Sequence, residues 1–457
     1  MRPSFPVLAT TLLLAGCATP GPRTTPPPEA ALTPPTAWRA ASSAETETAA
    51  AGWWKAFGDP RLSDLVAAAL ARNADLGIAE ARVREADALA AQARAALLPS
   101  LNATGGAQKQ RELSAFGTPA EPLAAQGQLQ AAYEIDLWGR LRAGDAAARA
   151  SLQASRYGRD AARLSVAAAT ARAYVSLTSL DAQLATARAT LVSRQEAAAR
   201  ARRRAQQGVT SNLELRQAEG ELEAAAQRVP ALELAVRRQE AGLALLSGED
   251  GAGPIARGGL DALIVPQPAA PLPSVLLARR PDIAQAEASL AGADASLAAA
   301  RAAFLPQVRL SAAAGGLKVL HIDPLTTWSV GASVLAPIFD GGRLRGASDA
   351  AAARRDQAAF AYRKAALTAF NEVESALEGQ DRLTEQEDHA RLQRAAASNA
   401  LQHAHKRYQA GYVAYLEELD AQRGLLATEL ALSQVREARL LNAVALYQAL
   451  GGGWTEP

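Results

Sequence analysis

The sequence predicts an α+β fold made of two similar halves, in which each half joins a pair of short strands to one long antiparallel helical hairpin. The halves are visible around two glycines: residues 204–214, which contain Gly208, align with residues 407–417, which contain Gly411. The Pro-free, alanine-rich runs that lead into both turns are long enough for helices of roughly 100 Å. In four other places apolar and polar residues alternate for about ten residues, as they do in strands. A repeated unit of this kind indicates internal pseudo-symmetry.

Composition and charge narrow the classes of protein to consider. The chain has 457 residues, of which 49% are hydrophobic but only 5% aromatic, so its apolar content is largely alanine and leucine that suit close helix packing. The formal net charge of +2 does not indicate a nucleic-acid partner. No run reaches the roughly 18 apolar residues of a transmembrane helix, so any membrane-spanning part has to be made of strands.

The N-terminus has the pattern of a secretory signal peptide at residues 1–16. Arg2 precedes an apolar run, and Leu-Ala-Gly comes directly before Cys17, the only cysteine of the sequence. This Leu-Ala-Gly-Cys sequence resembles a bacterial lipobox, which implies cleavage before Cys17 and its modification with a diacylglycerol and an N-acyl chain. An ordinary signal peptide with a chance cysteine is the alternative. The proline-rich residues that follow predict a lipidated, extended tether over 17–57, and Ala18 is compatible with sorting to the outer membrane.

The first repeat is predicted to cover residues 58–248. Pro60 after Asp59 fits the start of a helix, because proline suits the first helical turn and the aspartate can cap it. The other expected segments are helices at 74–97, 140–207 and 211–246, with the tip of the hairpin at 208–211. Pro230 is expected to kink or break the last of these helices, since proline removes a backbone hydrogen bond.

The second repeat, 274–451, has the same order of elements. A Gly/Pro-rich linker at 249–273 precedes it, and a C-terminal tail at 452–457 follows it. Its expected segments are a helix at 277–305, a long helix at 343–410, the hairpin tip at 411–414 and the return helix at 414–450. Asp136 and Asp340 precede the two long helices, where a carboxylate suits the helix N-terminus.

Four strands are predicted at about residues 100–110, 126–137, 307–317 and 327–339. Their length and alternation are typical of strands with one face in lipid. Two soluble hairpins packed on helices are the alternative. In a membrane, four strands cannot close a barrel, and an open edge would leave backbone groups without partners. Strands of two or three copies would then combine into eight or twelve, so the sequence predicts an obligate oligomer.

Five motifs of this sequence, taken together, resemble a known family. They are the lipobox at Cys17, Trp-Trp-x-x-Phe-x-Asp-Pro at 53–60, Arg-Pro-Asp-Ile at 280–283, Pro-Ile-Phe-Asp-Gly-Gly-Arg at 337–343 and Tyr-Leu-Glu-Glu-Leu-Asp-Ala-Gln at 415–422. Their order and spacing are similar to those of the outer-membrane factors of Gram-negative efflux and secretion systems, of the TolC/OprM type. Within that family the chain resembles the NodT-like lipoproteins of resistance-nodulation-division pumps.

The resemblance implies an α+β membrane protein that assembles as a homotrimer. Four strands from each copy would form a twelve-stranded β-barrel in the outer membrane, which a barrel of long α-helical hairpins with an equatorial belt continues into the periplasm. The implied function is that of a duct in a tripartite efflux system, which passively conducts drugs or other small molecules to the exterior. The implied partners are outer-membrane lipid, a periplasmic adaptor protein and an inner-membrane resistance-nodulation-division transporter that supplies the energy.

The residues of the family's periplasmic gate carry over by position. Leu416, Glu417 and Asp420 match the residues that narrow the tunnel around the threefold axis, where three copies of one carboxylate would repel one another. Tyr408 matches a tyrosine that bonds across to the first hairpin, where Glu214 has the partner position. Without the resemblance, Glu417 and Asp420 are ordinary solvated helix residues, which is the alternative.

The resemblance also implies that the two hairpin tips contact the adaptor protein. The tip residues are Gly208, Val209, Thr210, Ser211, Gly411, Tyr412, Val413 and Ala414. Basic residues flank the tips at 202–204 and 406–407, where they form either a solvated face or an electrostatic contact with the adaptor. Val413 stands where the family has a basic residue of the closing network.

The sequence does not indicate enzyme chemistry. His403 and His405 are two residues apart on one predicted helix and therefore face different directions. No Gly-rich phosphate loop and no clustered metal-ligand spacing is present, so we expect no catalytic residue, no metal and no cofactor beyond the lipid on Cys17. The alternatives left open are a duct for type I protein secretion or metal efflux, a periplasmic coiled-coil scaffold without a pore, and a soluble hydrolase.

Overall fold

The computed structural model of the chain describes residues 25–39, 50–113, 117, 119–121, 123–249, 253–319 and 323–456. The predicted signal peptide and Cys17 lie outside these residues. The chain divides into two units, each of which combines segments from both repeats. Unit 1 comprises the described residues of 1–32, 83–155 and 285–364, and unit 2 comprises those of 33–82, 156–284 and 365–457.

Two long helical hairpins dominate the secondary structure, as predicted. The helices of the described residues are α1 (Pro60–Arg72), α2 (Ala74–Ala95), α3 (Arg140–Gln206), α4 (Asn212–Ser247), α5 (Pro273–Leu276), α6 (Pro281–Ala302), α7 (Arg343–Gln409) and α8 (Tyr415–Ala449). The strands are β1 (Ser100–Lys109), β2 (Glu112–Leu113), β3 (Pro119–Ala120), β4 (Leu123–Ile135), β5 (Gln307–Val319) and β6 (Leu325–Leu335). The hairpins are α3–α4 and α7–α8, and their first helices are both 67 residues long.

Unit 1 contains one antiparallel sheet with the strand order β1-β4-β5-β6. The two predicted strand pairs, β1–β4 and β5–β6, are therefore joined through β4 and β5, which belong to different repeats. A separate short hairpin, which the sequence did not indicate, pairs β2 with β3. The edge strands β1 and β6 each have one side without a strand partner among the residues that the structure describes.

The strand predicted at 126–137 corresponds to β4 but differs from it at both ends. β4 stops at Ile135 because Asp136 caps α3 instead of continuing the ladder. The Asp136 carboxylate accepts hydrogen bonds from the N–H groups of Leu141 (3.2 Å) and Arg142 (2.9 Å). The predicted capping role of this acid is therefore confirmed, and it explains the error in the strand boundary.

The strand predicted at 327–339 is also shorter than expected, since β6 ends at Leu335. Pro337 follows closely and has no N–H to donate, so the ladder cannot continue past it. The Asp340 carboxylate then caps α7 by accepting a hydrogen bond from the N–H of Leu344 (2.9 Å). Both repeats thus change from strand to helix by means of an acidic cap.

The strand register divides the sheet into an apolar and a polar face. Side chains alternate along a strand and cross-strand partners share a face, so Leu129 of β4, Ala314 of β5 and Trp328 of β6 lie together. The same apolar face carries Leu101, Ala103, Ala131, Tyr133, Ile135, Val308, Leu310, Ala312, Val330, Ala332 and Val334. The opposite face carries Asn102, Thr104, Gln126, Gln128, Gln130, Glu134, Arg309, Ser311, Thr327, Ser329 and Ser333. The predicted alternation therefore holds over most of the sheet and fails at the strand ends far from the helices, where Lys109 and Lys318 lie on the apolar face and Leu317 and Leu325 on the polar face.

The main hydrophobic core of unit 2 lies where α1, α3 and α8 meet the linker between the repeats. Trp53 and Phe57 form a buried 3-10 turn in this core, and the Trp53 ring stacks on that of Tyr447 at 5.2 Å. The end of the segment expected as an extended tether is therefore part of the core, because its aromatic side chains are buried there. Asp59 caps α1 as predicted, since its carboxylate accepts the N–H of Arg61 (2.9 Å).

Trp38 and Arg39 of the predicted tether lie beside α7. The Trp38 indole N–H donates a hydrogen bond to the carbonyl of Pro271 (2.7 Å), and the Trp38 ring lies 6.2 Å from that of Phe370. The Arg39 N–H donates to the Glu374 carboxylate (3.0 Å). This part of the tether is therefore held on the helix by specific contacts.

The return helix α4 continues through Pro230, so the predicted break is wrong. Pro230 lies on the exposed side of the helix. The carbonyl of Ala226, which loses its N–H partner to the proline, can be hydrated there, and the helix tolerates the missing bond.

The C-terminal residues expected as a tail pack against α3. Trp454 donates its indole N–H to Asp160 (3.1 Å), and its ring meets that of Tyr157 edge-on at 5.6 Å. Gly451 makes this reversal of the chain possible. Its φ is 85°, and a side-chain carbon there would come within 1.9 Å of the Arg279 carbonyl oxygen.

Candidate functional site

Both hairpin tips are built by the same turn. Gly208 (φ 71°) and Gly411 (φ 78°) adopt the left-handed conformation that ends a helix. In each turn the following N–H bonds to the carbonyl five residues before it, at 2.9 Å in the first and 3.0 Å in the second. The helices that follow the two turns begin differently. Ser211 caps α4 by accepting a hydrogen bond from the N–H of Glu214 (3.3 Å), whereas Ala414 provides no side-chain cap for α8.

The tips present apolar side chains to solvent. Val209 is 63% exposed and Tyr412 is 81% exposed, although both are residues that proteins commonly bury. Thr210 has a different role, since its hydroxyl donates a hydrogen bond to Glu214. Contact between the tips and an adaptor protein remains a prediction.

Tyr408 and Glu214, which the sequence pairs across the two hairpins, are in contact. The Tyr408 hydroxyl on α7 donates a hydrogen bond to the Glu214 carboxylate on α4 (2.5 Å). Arg204 of α3 donates to the Tyr408 oxygen (2.6 Å), and its guanidinium lies 5.4 Å from the centre of the tyrosine ring. The same guanidinium lies 3.9 Å from the Glu214 carboxylate. Tyr408, Glu214 and Arg204 therefore form one cluster that joins three helices, and we call it the latch cluster.

Arg204 is the member of the latch cluster that sequence reasoning missed. The basic group of the cluster comes from α3 of the first hairpin. In the sequence, Arg204 is one of three consecutive arginines at 202–204, and nothing in that run sets it apart. Its alignment with Arg407, which is next to Tyr408, is the signal that could have found it.

The tyrosine of the latch cluster stays protonated near neutral pH. Burial raises the pKa of the Tyr408 hydroxyl well above its ordinary value, and the hydrogen bond to Glu214 raises that pKa further. The opposing effect of Arg204 is smaller. The hydroxyl therefore keeps the proton that it donates to Glu214.

Leu416, Glu417 and Asp420 lie on the exposed side of the first turns of α8. Leu416 is 49% exposed. Glu417 pairs with Arg407 (2.7 Å), and Asp420 lies 3.7 Å from Arg423. Each carboxylate thus has an arginine partner in its own chain, which reduces the repulsion expected between copies. The role of these three residues as a gate remains a prediction.

A second polar cluster near the tip of the second hairpin was not found from the sequence. Glu418 is 3% exposed, accepts a hydrogen bond from Gln422 (3.0 Å) and lies 2.8 Å from Nδ1 of His405. The buried Arg194 of α3 donates to the same Gln422. The sequence signal is weak, because the distance between His405 and Glu418 depends on how α7 and α8 pack.

Two further classes of site can be assessed in the part of the chain that the structure describes. There, no three histidine, cysteine or acidic side chains are arranged to hold a metal ion. Among the same residues, no helix is both long and apolar enough to cross a membrane.

The sequence matches the family model described as outer membrane efflux protein over residues 65–249 and 272–452. The chain belongs to the outer membrane efflux protein family. The two matched segments fall one in each repeat, so the family model covers both helical hairpins and all four strands of the sheet.

Curated relatives and solved structures agree with this membership. The chain is 38% identical over 413 residues to the pyoverdine export outer membrane protein OpmQ of Pseudomonas aeruginosa, with 88% of this chain and 87% of that protein covered. It is 33% identical over 466 residues to the toluene efflux pump outer membrane protein TtgC of Pseudomonas putida, with 98% and 95% covered. Among solved structures, the open state of the Neisseria gonorrhoeae MtrE outer membrane channel has a TM-score of 0.82 at 30% identity, with 94% of this chain and 98% of that chain covered.

The predicted family, function and location are therefore confirmed. This efflux protein is an outer-membrane component of an efflux system and acts there as a duct. Its fold, mostly helical with a small four-stranded antiparallel sheet, is that of outer-membrane efflux channels. The family consists of channel and transport proteins rather than enzymes.

Proposed function

We propose that three copies of this efflux protein form the duct, with a twelve-stranded barrel in the outer membrane that continues into a tunnel of helical hairpins. The observation that carries the proposal is the four-stranded sheet, which has one apolar face and, among the described residues, two edges without a strand partner. On the apolar face, Trp328, Val330 and Val334 are 79%, 77% and 68% exposed. Such a face is stable in lipid, whereas open edges there need partners, because lipid cannot hydrogen-bond free N–H and C=O groups. Pairing of β1 in one copy with β6 in the next supplies those partners.

In this proposal the hairpin tips act as the periplasmic gate. The latch cluster connects the second hairpin to the first, so breaking it frees the tip of the second hairpin to move outwards. Leu416, Glu417 and Asp420 narrow the tunnel around the threefold axis. The exposed tip residues Val209 and Tyr412 contact a periplasmic adaptor protein, and an inner-membrane resistance-nodulation-division transporter supplies the energy.

Planar-bilayer recording tests the duct. Replacing both Leu416 and Asp420 with alanine should raise the resting conductance of the purified protein and the entry of vancomycin into cells, because it removes the side chains of the narrowest ring. Leu213→Ala is a matched control, since Leu213 aligns with Leu416 but belongs to the first hairpin and is 67% exposed. A protein that forms no pore even with both substitutions contradicts the duct, and unchanged leakage at normal expression contradicts the gate.

We also propose that Cys17 carries the covalent lipid. Arg363 of α7 donates a hydrogen bond to the carbonyl of Glu29, which attaches the chain at that point. At about 1.5 Å per residue, Arg363 lies about 30 Å along α7 from Arg343, where the sheet adjoins the helix. The residues between Cys17 and Glu29 can extend to about 40 Å, so Cys17 can reach the sheet end of α7, where lipid headgroups would lie.

The serine variant tests the lipid site. Cys17→Ser should abolish incorporation of labelled palmitate, since the thioether to diacylglycerol cannot form without the sulfur. The trimer should persist, because the barrel is a second anchor in the membrane. Label that remains on the serine variant contradicts the assignment.

The proposed cargo is a small molecule, in keeping with relatives named for pyoverdine export and toluene efflux. Cation efflux is the second candidate, because the chain is also 33% identical to the cation efflux system protein CusC of Escherichia coli. Growth of a deletion strain decides between them. Sensitivity to organic toxins supports the first candidate, and sensitivity to metal cations alone supports the second.

A further inference from the structure

We propose that Arg309 forms a ring of positive charge in the assembled duct, at the end of the barrel nearest the helices, and that this ring favours the passage of organic anions. The inference rests on the proposed trimeric duct, in which the polar face of the sheet lines the lumen. It adds a class of solute to that proposal, because anions would be concentrated at the ring and cations repelled from it.

The polar face of the sheet is almost free of charge. Across β1, β4, β5 and β6, which the structure describes in full, Glu134 and Arg309 are the only charged residues on that face. They are direct cross-strand partners, Glu134 on β4 and Arg309 on β5. Glutamine, asparagine, serine, threonine, glycine and uncharged apolar residues make up the remainder. On such a wall, a single charged group dominates the local electrostatic potential.

Glu134 is shared between two arginines and cannot neutralise both. One oxygen of its carboxylate accepts a hydrogen bond from Arg140, the first residue of α3 (2.7 Å). The other oxygen lies 3.5 Å from Nε of Arg309. One negative and two positive groups leave a formal charge of +1 in each chain, and three copies would place three such clusters around the lumen.

The positive end of the cluster is the one that solvent reaches. The Arg309 side chain is 57% exposed, whereas those of Glu134 and Arg140 are 15% and 30% exposed. On the same face, Ser311 and the cross-strand partner Ser333 are too small to cover the guanidinium, and the uncharged Gln307 accepts a hydrogen bond from it (3.3 Å). Because β4 and β5 are the central strands of the sheet, pairing of its edges with other copies leaves this position uncovered.

The distance over which the charged ring attracts anions depends on the salt concentration. The Debye length is about 10 Å at 0.1 M salt and about 3 Å at 1 M, so three guanidinium groups act across a wide lumen only at low ionic strength. The preferred solutes are small molecules that carry carboxylate, sulfonate or phosphate groups, since a guanidinium binds such oxygens.

Reversal potentials in a KCl gradient test the ring. All channels would carry the Leu416→Ala and Asp420→Ala substitutions, so that the gate does not limit the current. At low salt, Arg309→Gln should lower the ratio of chloride to potassium permeability about two-fold, and the effect should shrink in concentrated salt. Glu134→Gln should change the ratio in the opposite direction, and Arg309→Lys, which keeps the charge, should leave it unchanged.

Lys318→Gln is the matched control, because Lys318 lies on the same strand but on the opposite face of the sheet. Removing its charge should leave the permeability ratio as it is. If the parent channel forms no pore, the trimeric duct itself is wrong. If pores form but Arg309→Gln leaves the chloride-to-potassium permeability ratio unchanged, the proposed ring is wrong and the duct stands. The same conclusion follows if Lys318→Gln lowers that ratio as much as Arg309→Gln does. Failure of Arg309→Gln to assemble leaves Glu134→Gln to decide, since an unchanged ratio in that variant also refutes the ring.

Discussion

The Tyr408 hydroxyl group of α7 is hydrogen-bonded to both helices of the first hairpin. The Tyr408 oxygen donates to Glu214 at 2.5 Å and accepts from Arg204 at 2.6 Å. Hydrogen bonds with ionised partners are stronger than those between neutral groups. Without the hydroxyl, the remaining contact is the longer one between Arg204 and Glu214, at 3.9 Å.

We expect Tyr408→Phe to destabilise the closed tip by about 1.5 kcal/mol, because it removes both of these hydrogen bonds. Resting conductance and vancomycin sensitivity of cells should therefore rise. Tyr412→Phe is the control, since it also removes a tyrosine hydroxyl four residues further along the chain. The Tyr412 side chain is 81% exposed. Equal conductance of Tyr408→Phe and the unmodified channel, at equal expression, would show that the cluster is not a latch.

Glu387 is a buried charge on α7 that contacts arginines of both α7 and α8. It is fully buried, and burial alone would raise its pKa, but hydrogen bonds from Arg439, Arg391 and Arg436 outweigh burial and lower the pKa of Glu387 to about 2. A carboxyl group whose pKa is lower in the folded chain than in the unfolded chain stabilises the fold above its ordinary pKa. That contribution is lost as the pH falls from about 4.5 to about 2.

Glu387→Gln should therefore lower the free energy of unfolding at neutral pH by about 3 kcal/mol, because three arginines lose their shared counter-charge. The difference from the unmodified protein should disappear as the pH approaches about 2. Denaturation followed by circular dichroism in detergent measures both effects. Glu385→Gln, on the exposed side of the same helix, should have little effect. A deficit of Glu387→Gln that does not change with pH would contradict the assigned titration.

At the scale of the elements, the packing of helix α8 against helix α7 requires a residue without a side chain at Gly379 of α7. A side-chain carbon added at Gly379 would lie 2.4 Å from Oδ1 of Asn442 on α8. Asn442 is itself held by a hydrogen bond from its amide to the carbonyl of Ala376 (2.8 Å). A carbon added at Gly346, in the same helix α7, would meet no atom within 4 Å.

The same substitution should therefore have opposite effects at these two positions. Gly379→Ala should destabilise the protein by about 2 kcal/mol, since it displaces Asn442 from its hydrogen bond. Gly346→Ala should stabilise α7 by about 0.5–1 kcal/mol, because alanine restricts the unfolded chain. Thermal unfolding of the two variants in detergent measures the difference, and shifts of Tm in the same direction would contradict the packing seen between α7 and α8.

At the scale of the whole molecule, the described residues of one chain form a sheet whose edge strands β1 and β6 each lack a strand partner on one side. If β1 of one copy pairs with β6 of the next, cysteines placed on these two strands should form disulfides between copies. Within one chain, β4 and β5 separate the same two strands by about 14 Å, which is too far for a disulfide. Cross-links therefore report on assembly alone.

We expect Thr104→Cys on β1, combined in turn with cysteine at Thr327, Ser329 or Ser333 on β6, to give linked dimers and trimers for at least one pair. Denaturing gels after mild oxidation detect these products. Thr104→Cys alone is the control for linkage through other thiols. If none of the three pairs gives a product, the edges do not meet and the barrel proposal fails.

The sequence predicted some contacts of the candidate site and missed others. The resemblance paired Tyr408 with Glu214, and the structure brings these side chains together. Arg204 and Glu418 were missed, because their contacts depend on which side of a helix faces its neighbour. In helices this rich in alanine the apolar stripe is weak, so buried and exposed polar residues look alike in the sequence.

By itself, the sequence determined the local features of this protein: the repeat, the acidic caps, the hairpin turns and the alternation of the strands. Each of these depends on residues close together in the chain, where spacing and residue type act directly. Only the tertiary structure decided that β4 pairs with β5, and hence that Glu134 lies beside Arg309. That pairing joins two repeats, and no local pattern specifies it, because its free energy comes from contacts between residues far apart in the chain.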